Sequence, residues 1–408
     1  MLRSLFTGVT GLRSHSQWLD VIGNNIANVN TVGYKNAGVT FQDLMSQTIQ
    51  GEVRPASGQG GVSVKQVGLG VTLGSIRNFF TQGALQQTGN PTDLAIQGDG
   101  FFVLSSGSDT LYTRAGAFTL DANGDLVDSV TGYQVQGASG NVTIAPGSTV
   151  AATPTTTEFF KGNLDASVAD GETYALTFPA YDSLGTSRTV TLTFTKNFAA
   201  ASGRWDWAAT ESDADIASLG GATGSLVFNT SGAISSGSTA ALTVNYAAAA
   251  GATTPQSVTL DFGSASNTTP MTGYAGESTA TLASQDGIAS GTLQSFTIGS
   301  DGSVTGFYSN GMNQVLDTLR LAGFANPGGL LKAGANLYKE TGNSGTPSLG
   351  NPGAGGRGTI ASGNLEMSNV DLAQEFTNLI IAQRGFQANT RVITASDEVL
   401  RELVNIVG

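Results

Sequence analysis

Four asparagines, Asn24, Asn25, Asn28 and Asn30, crowd the stretch VIGNNIANVNTVGYK at residues 21–35. Carboxamides at this density could orient a substrate or polarise a carbonyl. Catalysis would still need a nucleophile or a titrating base beside them, and no such pairing accompanies them. Asparagine bonds readily to nearby backbone and tolerates left-handed conformations. Gly23 adds a helix cost of about 1 kcal/mol. The stretch therefore reads as a helix giving way to extended chain, with Gly33 as a further break.

Other candidates for chemistry are as poor. His15 is the only histidine and has no cysteine to pair with, so neither a triad nor a conventional metal site follows from it. It reads as a surface or interface residue. Asp121, Asn123 and Asp125 begin like a calcium loop. The required glycine is replaced by Leu126, and position twelve is Gly132 where a bidentate Glu is needed. A hairpin turn is the better reading. GLGVTLG (68–74) has the wrong glycine spacing for a dinucleotide site. No local carboxylate cluster suggests glycoside chemistry. Trp205 and Trp207, two apart on one strand face, could line a carbohydrate cleft or pack a core.

Composition narrows the classes further. The chain has 408 residues, 39% apolar and only 12% charged, with 18 basic against 30 acidic residues and a net charge of −12. That balance argues against nucleic acid, whose phosphates demand basic patches. Absent cysteine excludes disulfides and thiolate chemistry. The N-terminus lacks the continuous apolar stretch of a secretory signal, and no run of about 20 apolar residues could span a membrane.

Two helical ends frame the chain. Leu365, Leu372, Leu379, Phe386, Ile393, Leu400 and Val407 recur every seventh residue, one seam of a coiled coil. The companion row is mixed: Asn369, Phe376, Gln383, Thr390, Asp397, Val404. Ser368 with Asp371 resembles a capping box. The helix predicted over 364–408 would be about 60 Å long. At the other end Leu5, Leu12, Leu19 and Ile26 form a similar row in a helix over 1–30. The adjacent row of Leu2, Val9, Ser16 and Gly23 ends in small residues that would admit a neighbouring helix. Narrow seams of this kind bury against helices.

The middle is β-rich. TVTLTFTK (189–196) alternates apolar residues with threonine, and turns recur at Asn123-Gly124, Asp170-Gly171, Asp286-Gly287, Asp301-Gly302 and Asn310-Gly311. The expected fold is multidomain α+β. Terminal helices pair as a coiled coil around two mainly antiparallel β domains, one at 71–145 and 285–363, the other inserted at 146–284. Residues 31–70 read as an extended linker.

Several motifs resemble one family. LDVIGNNIANVNTVGYK (19–35), GNPTDLAIQGDGFFVL (89–104), LYTRAGAFTLDANGDLV (111–127) and SNVDLAQEFTNLIIAQRGFQANTRVITASDEVL (368–400) are similar to the signatures of flagellar rod and hook proteins. The return region at 285–311 and 321–338, and the insert with its YDSLG turn, resemble hook-type members most. Residues 46–66 resemble instead a stretch of the distal rod, which leaves a straight drive shaft as the alternative to a bending joint. A carbohydrate-binding or adhesive β protein is a third reading.

The resemblance implies a non-enzymatic, cofactor-free subunit of a curved helical tube that carries motor torque to the filament. The helix seams would line its core, with Gly23, Asn24, Asn25 and Asn28 at the helix-to-linker interface. It implies partners: further copies of the chain, the distal rod protein, the hook cap, hook–filament junction proteins and the flagellar type III export apparatus. Export would need no cleaved signal peptide and would place the subunit outside the cell. Phe41 and Met45 match the family's export motif.

Overall fold

The computed structural model describes residues 2–52, 54, 60–107 and 109–407. Its residues divide into two compact units. The first comprises 1–145, 296–306 and 315–408; the second comprises 146–295 and 307–314.

The first unit carries both long helices, α1 (Leu2–Ala27) and α2 (Leu372–Val407). α1 ends where asparagine chemistry competes with the helix. Asn28 Nδ2 donates to the Asn24 carbonyl at 2.8 Å, and its backbone N–H is shared between the carbonyls of Asn24 and Asn25. α2 starts later than the periodicity predicts. Asp371 is its N-cap, with Oδ1 accepting from the N–H groups of Ala373 (2.9 Å) and Gln374 (3.2 Å). Leu365 is therefore not on the helix. It lies in the strand Asn364–Glu366, paired with Leu85–Gln87, because the backbone must deliver Glu366 to a buried site.

The expected linker carries three strands among its described residues. Ala37–Asp43 pairs antiparallel with Val71–Asn78, with a bulge at Thr40/Phe41. Ser46–Gln50 pairs with Lys65–Gly68 in a hairpin arm whose strand residues are all exposed. Residues 53 and 55–59 of that arm lie outside the described residues. Nine short strands make the main sheet of this unit. It runs from Leu331–Gly334 through Leu337–Lys339, Thr110–Thr113 and Phe101–Ser105 to Phe118–Leu120. Phe101, Tyr112, Leu330 and Tyr338 form a core on it.

The second unit is built on two sheets that share a core. One is a five-stranded antiparallel meander from Thr173–Tyr181 to Ile234–Ser236. The other has six strands and includes two parallel pairings of Thr157–Asn163. In Ser187–Lys196 the side chains of Val190, Leu192 and Phe194 point inward and the threonines outward, as the alternation predicts. Trp205 and Trp207 are both buried in this core, with Trp207 against Phe262. They pack the core of the domain. Gly124, Gly171, Gly302 and Gly311 hold positive φ at the anticipated turns, but Gly287 does not. There Asp286 instead caps the N–H groups of Thr156 and Thr157.

Candidate functional site: the helix pair and its junction with the linker

α1 and α2 run antiparallel, a direction set by which residues meet. Gly8 lies against Ile393, Gly11 against Asn389, Gly385 against His15, and Asn25 bonds to Glu375. A Cβ at Gly8 would come within 3.1 Å of Ile393, and one at Gly11 within 2.6 Å of Asn389 Oδ1. Glycine here permits a close approach that no other residue allows. Ile22 and Ala382 are buried in the same interface.

The seam is thus offset from the leucine row. Leu5, Leu12, Leu19 and Ile26 are half-buried and flank it, as are Leu379, Phe386 and Leu400 on α2; Ile393, of the same row, packs on Gly8, and Leu372 is exposed. The side chain of Val407 lies outside the described part. Gly23 faces open space and does not admit α2; the glycines that do are Gly8 and Gly11. Counting large apolar residues overlooks an interface made by small ones.

His15 belongs to this interface. Its ring sits 6.0 Å from Trp18 and 5.8 Å from Phe41, with Gly385 closing the remaining side. Burial lowers its pKa, and the buried Nδ1 has no hydrogen-bond partner. Gly385 is the only glycine inside α2. Gly→Ala normally strengthens a helix interior by about 1 kcal/mol. At Gly385 the new methyl would strike the boxed imidazole at Nε2 and Nδ1, 2.6 and 2.9 Å away. Gly385→Ala is expected to destabilise the helix pair by roughly 1–3 kcal/mol. Chemical denaturation followed by helical circular dichroism checks this, and a gain in stability would refute the close packing.

The asparagines hold the helix end to the linker. Asn25 is buried; its Nδ2 donates to the Ala37 carbonyl (2.8 Å) and to Glu375 Oε1 (3.1 Å), while its Oδ1 accepts from Ala37 N–H (3.0 Å) and Tyr34 O–H (3.2 Å). Both N–H groups and both acceptor lone pairs of the carboxamide are accounted for. Burial raises the pKa of Glu375, opposed by the Asn25 bond. Asn24 donates to Tyr34 Oη at 3.3 Å, and Asn28 Oδ1 accepts from Thr31 Oγ1. Gly33, at φ 69°, turns the chain with its N–H on the Glu366 carbonyl at 2.7 Å, and a Cβ there would lie 2.5 Å from Ala115 N.

Beyond that turn lies a fully buried ion cluster that the sequence does not announce. Lys35 Nζ donates to Glu366 Oε1 (2.7 Å) and to the Thr81 carbonyl (2.8 Å). Glu366 also accepts from Gly83 N–H (2.9 Å) and from an Arg114 amino group (3.4 Å). The other Arg114 amino group donates to the Gly98 carbonyl (2.8 Å), and its plane lies over Phe101. Burial pulls Lys35 and Arg114 below their usual pKa values, and Glu366 opposes this in both. Asn369 completes the junction, accepting from Asn36 N–H and donating to the Phe79 carbonyl.

Most polar groups of the junction bond one another, although Asn36 Oδ1 and Arg114 Nε keep no partner. Asp121 likewise bonds the N–H groups of Asn123 and Asp125, a turn and not a cation loop. Among the described residues no group of three or more acidic or histidine side chains could hold a metal, and no helix is long and apolar enough to cross a membrane. Phe41 packs on Trp18 at 5.7 Å, and Met45 is 84% exposed.

Comparison with known proteins gives a consistent result. Four family models match: Flagella basal body rod protein at 5–35, Flagellar hook protein FlgE/F/G D1 domain at 95–157, Flagellar basal body protein FlaE D2 domain at 146–288, and Flagellar basal body rod FlgEFG protein C-terminal at 361–406. The chain is 38% identical to the flagellar hook protein FlgE of Treponema pallidum (strain Nichols) over the full length of both. It is 34% identical to the flagellar basal-body rod protein FlgG of Bacillus subtilis (strain 168), over 100% of this chain and 99% of that one. The crystal structure of Helicobacter pylori flagellar hook protein FlgE2 shares the fold, at 15% identity and a TM-score of 0.52 over 69% of this chain and 100% of that one.

Proposed function

This chain belongs to the flagellar hook and rod protein family, and from that we infer a structural subunit of the bacterial flagellar hook, whose terminal helices form its polymer contacts. The observation that carries the assembly reading is an apolar surface left uncovered by the helix pair. Phe6 (68%), Val9, Phe376, Ile380, Ile381, Val399 and Val404 (69%) are exposed although α1 and α2 are already packed together. Apolar groups in such a row cost free energy in water and gain it against further copies of the same helices. Contacts that repeat head-to-tail without closing generate a helical filament.

The other elements fit this reading. The junction ties α1, the linker and α2 into one unit, so force on the helices reaches the β domain through buried bonds. Export by the flagellar type III apparatus, assembly onto the distal rod under a hook cap, and a junction to the filament extend the proposal. Phe41 and Met45 are the export residues, and Met45 is free to be recognised.

Electron microscopy of purified subunits tests assembly. The full chain should form tubes. Phe376→Asp with Ile380→Asp should leave the monomer's melting unchanged and abolish tubes; tubes as abundant as those of the parent chain would refute the role of this face. One observation favours the rod reading as runner-up: the hairpin Ser46–Gln50/Lys65–Gly68 is exposed along both strands and suits a brace between subunits. Removing 46–66 should then soften or curve the same tubes, whereas an unchanged shape would discard the brace.

A further inference from the structure

The second unit holds a largely buried lysine whose ammonium has no protein partner among the described residues. Lys196 ends the strand Ser187–Lys196 and stands opposite Trp205 in the antiparallel ladder. Its side chain lies over that indole, with Nζ 5.1 Å from the ring centroid, and the residue is only 4% exposed. The ammonium makes neither a hydrogen bond nor an ion pair among the described residues. A partly desolvated ammonium is costly unless paired, and the ring face offsets only part of that cost.

The two carboxylates whose charge acts on Lys196 each bind other donors. Asp165 Oδ1 accepts from Ser167 N–H (2.7 Å), Ser167 O–H (2.6 Å) and Gly276 N–H (3.1 Å). Asp170 Oδ1 accepts from Phe198 N–H at 2.6 Å. Both act on Lys196 only through space, and neither restores what burial removes: the Lys196 pKa stays below its ordinary value.

Lys196 instead faces a cavity of about 510 Å³. Its floor is Trp205 and Phe228, one wall is the exposed Phe198 ring, and its lip carries Ser202, Asn229 and Thr230. Asn229 uses its Oδ1 on the N–H groups of Ser231 and Ala233, which leaves its Nδ2 without an acceptor. The volume is that of small-molecule sites, with aromatic walls and a few convergent polar groups. We propose that this pocket binds a small carboxylate carried on a flat apolar body, with Lys196 as the countercharge, Asn229 as a second donor and Phe198 stacking on the body. The carboxylate would supply the acceptors that the ammonium lacks.

The test uses the full chain, labelled with 13C at the lysine ε position, and benzoate as probe. Benzoate should bind saturably and raise the Lys196 pKa, because the bound anion favours the charged amine. Lys196→Met should weaken benzoate at least tenfold, and Lys196→Arg should retain most of the binding. Benzamide, the neutral isostere, should bind at least tenfold more weakly than benzoate to the parent chain, a comparison that does not depend on how the variants fold. No saturable benzoate binding, equal affinity for benzamide, or an unmoved Lys196 pKa would each overturn the proposal.

Discussion

Replacing Glu366 with Ala is expected to remove about 3–5 kcal/mol from the first unit, the loss typical of deleting one member of a buried ion group. The magnitude follows from what stays behind. Lys35 and Arg114 would keep their burial and lose the carboxylate that both bond. Gly83 N–H would lose its acceptor as well. Arg114 Nε already lacks a partner, so the site has no spare acceptor to offer. Three donors from three distant segments would each lose an acceptor in one step.

The deficit should depend on pH in a direction the cluster dictates. Burial already lowers the Lys35 pKa, and Glu366 opposes the shift. Without Glu366 the depression deepens. A base with a depressed folded pKa costs stability wherever the unfolded chain is protonated, and that cost fades as pH rises toward the ordinary lysine value. The variant should recover part of its loss between pH 7 and 10. Urea unfolding of the monomer across that range checks both points. A loss under 1 kcal/mol, or one independent of pH, would show that Glu366 is not what neutralises the cluster. Replacing Lys35, Arg114 and Glu366 together with apolar residues should cost less than Glu366→Ala alone, since no charge is then left unpaired.

This cluster also marks where sequence reading stops. Lys35 and Glu366 are 331 residues apart, and nothing in either neighbourhood signals the other. The strand alternation in Ser187–Lys196 and the turns at Gly124, Gly302 and Gly311 were legible because their causes are local: pleat and left-handed backbone. The helices were legible too, but the face they share was not. A seven-residue leucine row marks an apolar stripe, whereas the contact is made by Gly8, Gly11 and Gly385, chosen for what they lack. Leu365 continued the period by coincidence and lies in a strand, because Glu366 beside it had to reach the ion cluster. Asn369 looked like a polar seam position and instead pins the linker. The asparagines of 21–35 drew suspicion as chemistry; in Asn25 the carboxamide is spent on Ala37, Tyr34 and Glu375.

The second large effect lies in the other unit. Glu158 is fully buried on Thr157–Asn163, and burial, with Asp286 nearby, pushes its pKa up to about 8. Around it stand the Gln285 amide, which, turned to face its acceptors, places its nitrogen 3.3 Å from Glu158 Oε1 and 3.0 Å from the Pro179 carbonyl, and the carboxylate of Asp286, held ionised by the N–H and hydroxyl of Thr156 and the N–H of Thr157. Glu158 Oε2 has no partner. The acid is therefore protonated in the folded unit at neutral pH and ionised in the unfolded chain. A group with a raised folded pKa contributes stability that is complete below its unfolded value of 4.5 and is lost as pH rises through about 8. The loss across that window is on the order of 4 kcal/mol. Glu158→Gln keeps the shape of the neutral acid and cannot ionise. It should raise the stability of the second unit by about 2–4 kcal/mol at pH 8 and leave it nearly unchanged at pH 4.5. Calorimetry of the full chain at both pH values decides the matter. Equal melting temperatures for parent and variant at pH 8 would mean that Glu158 folds as a carboxylate.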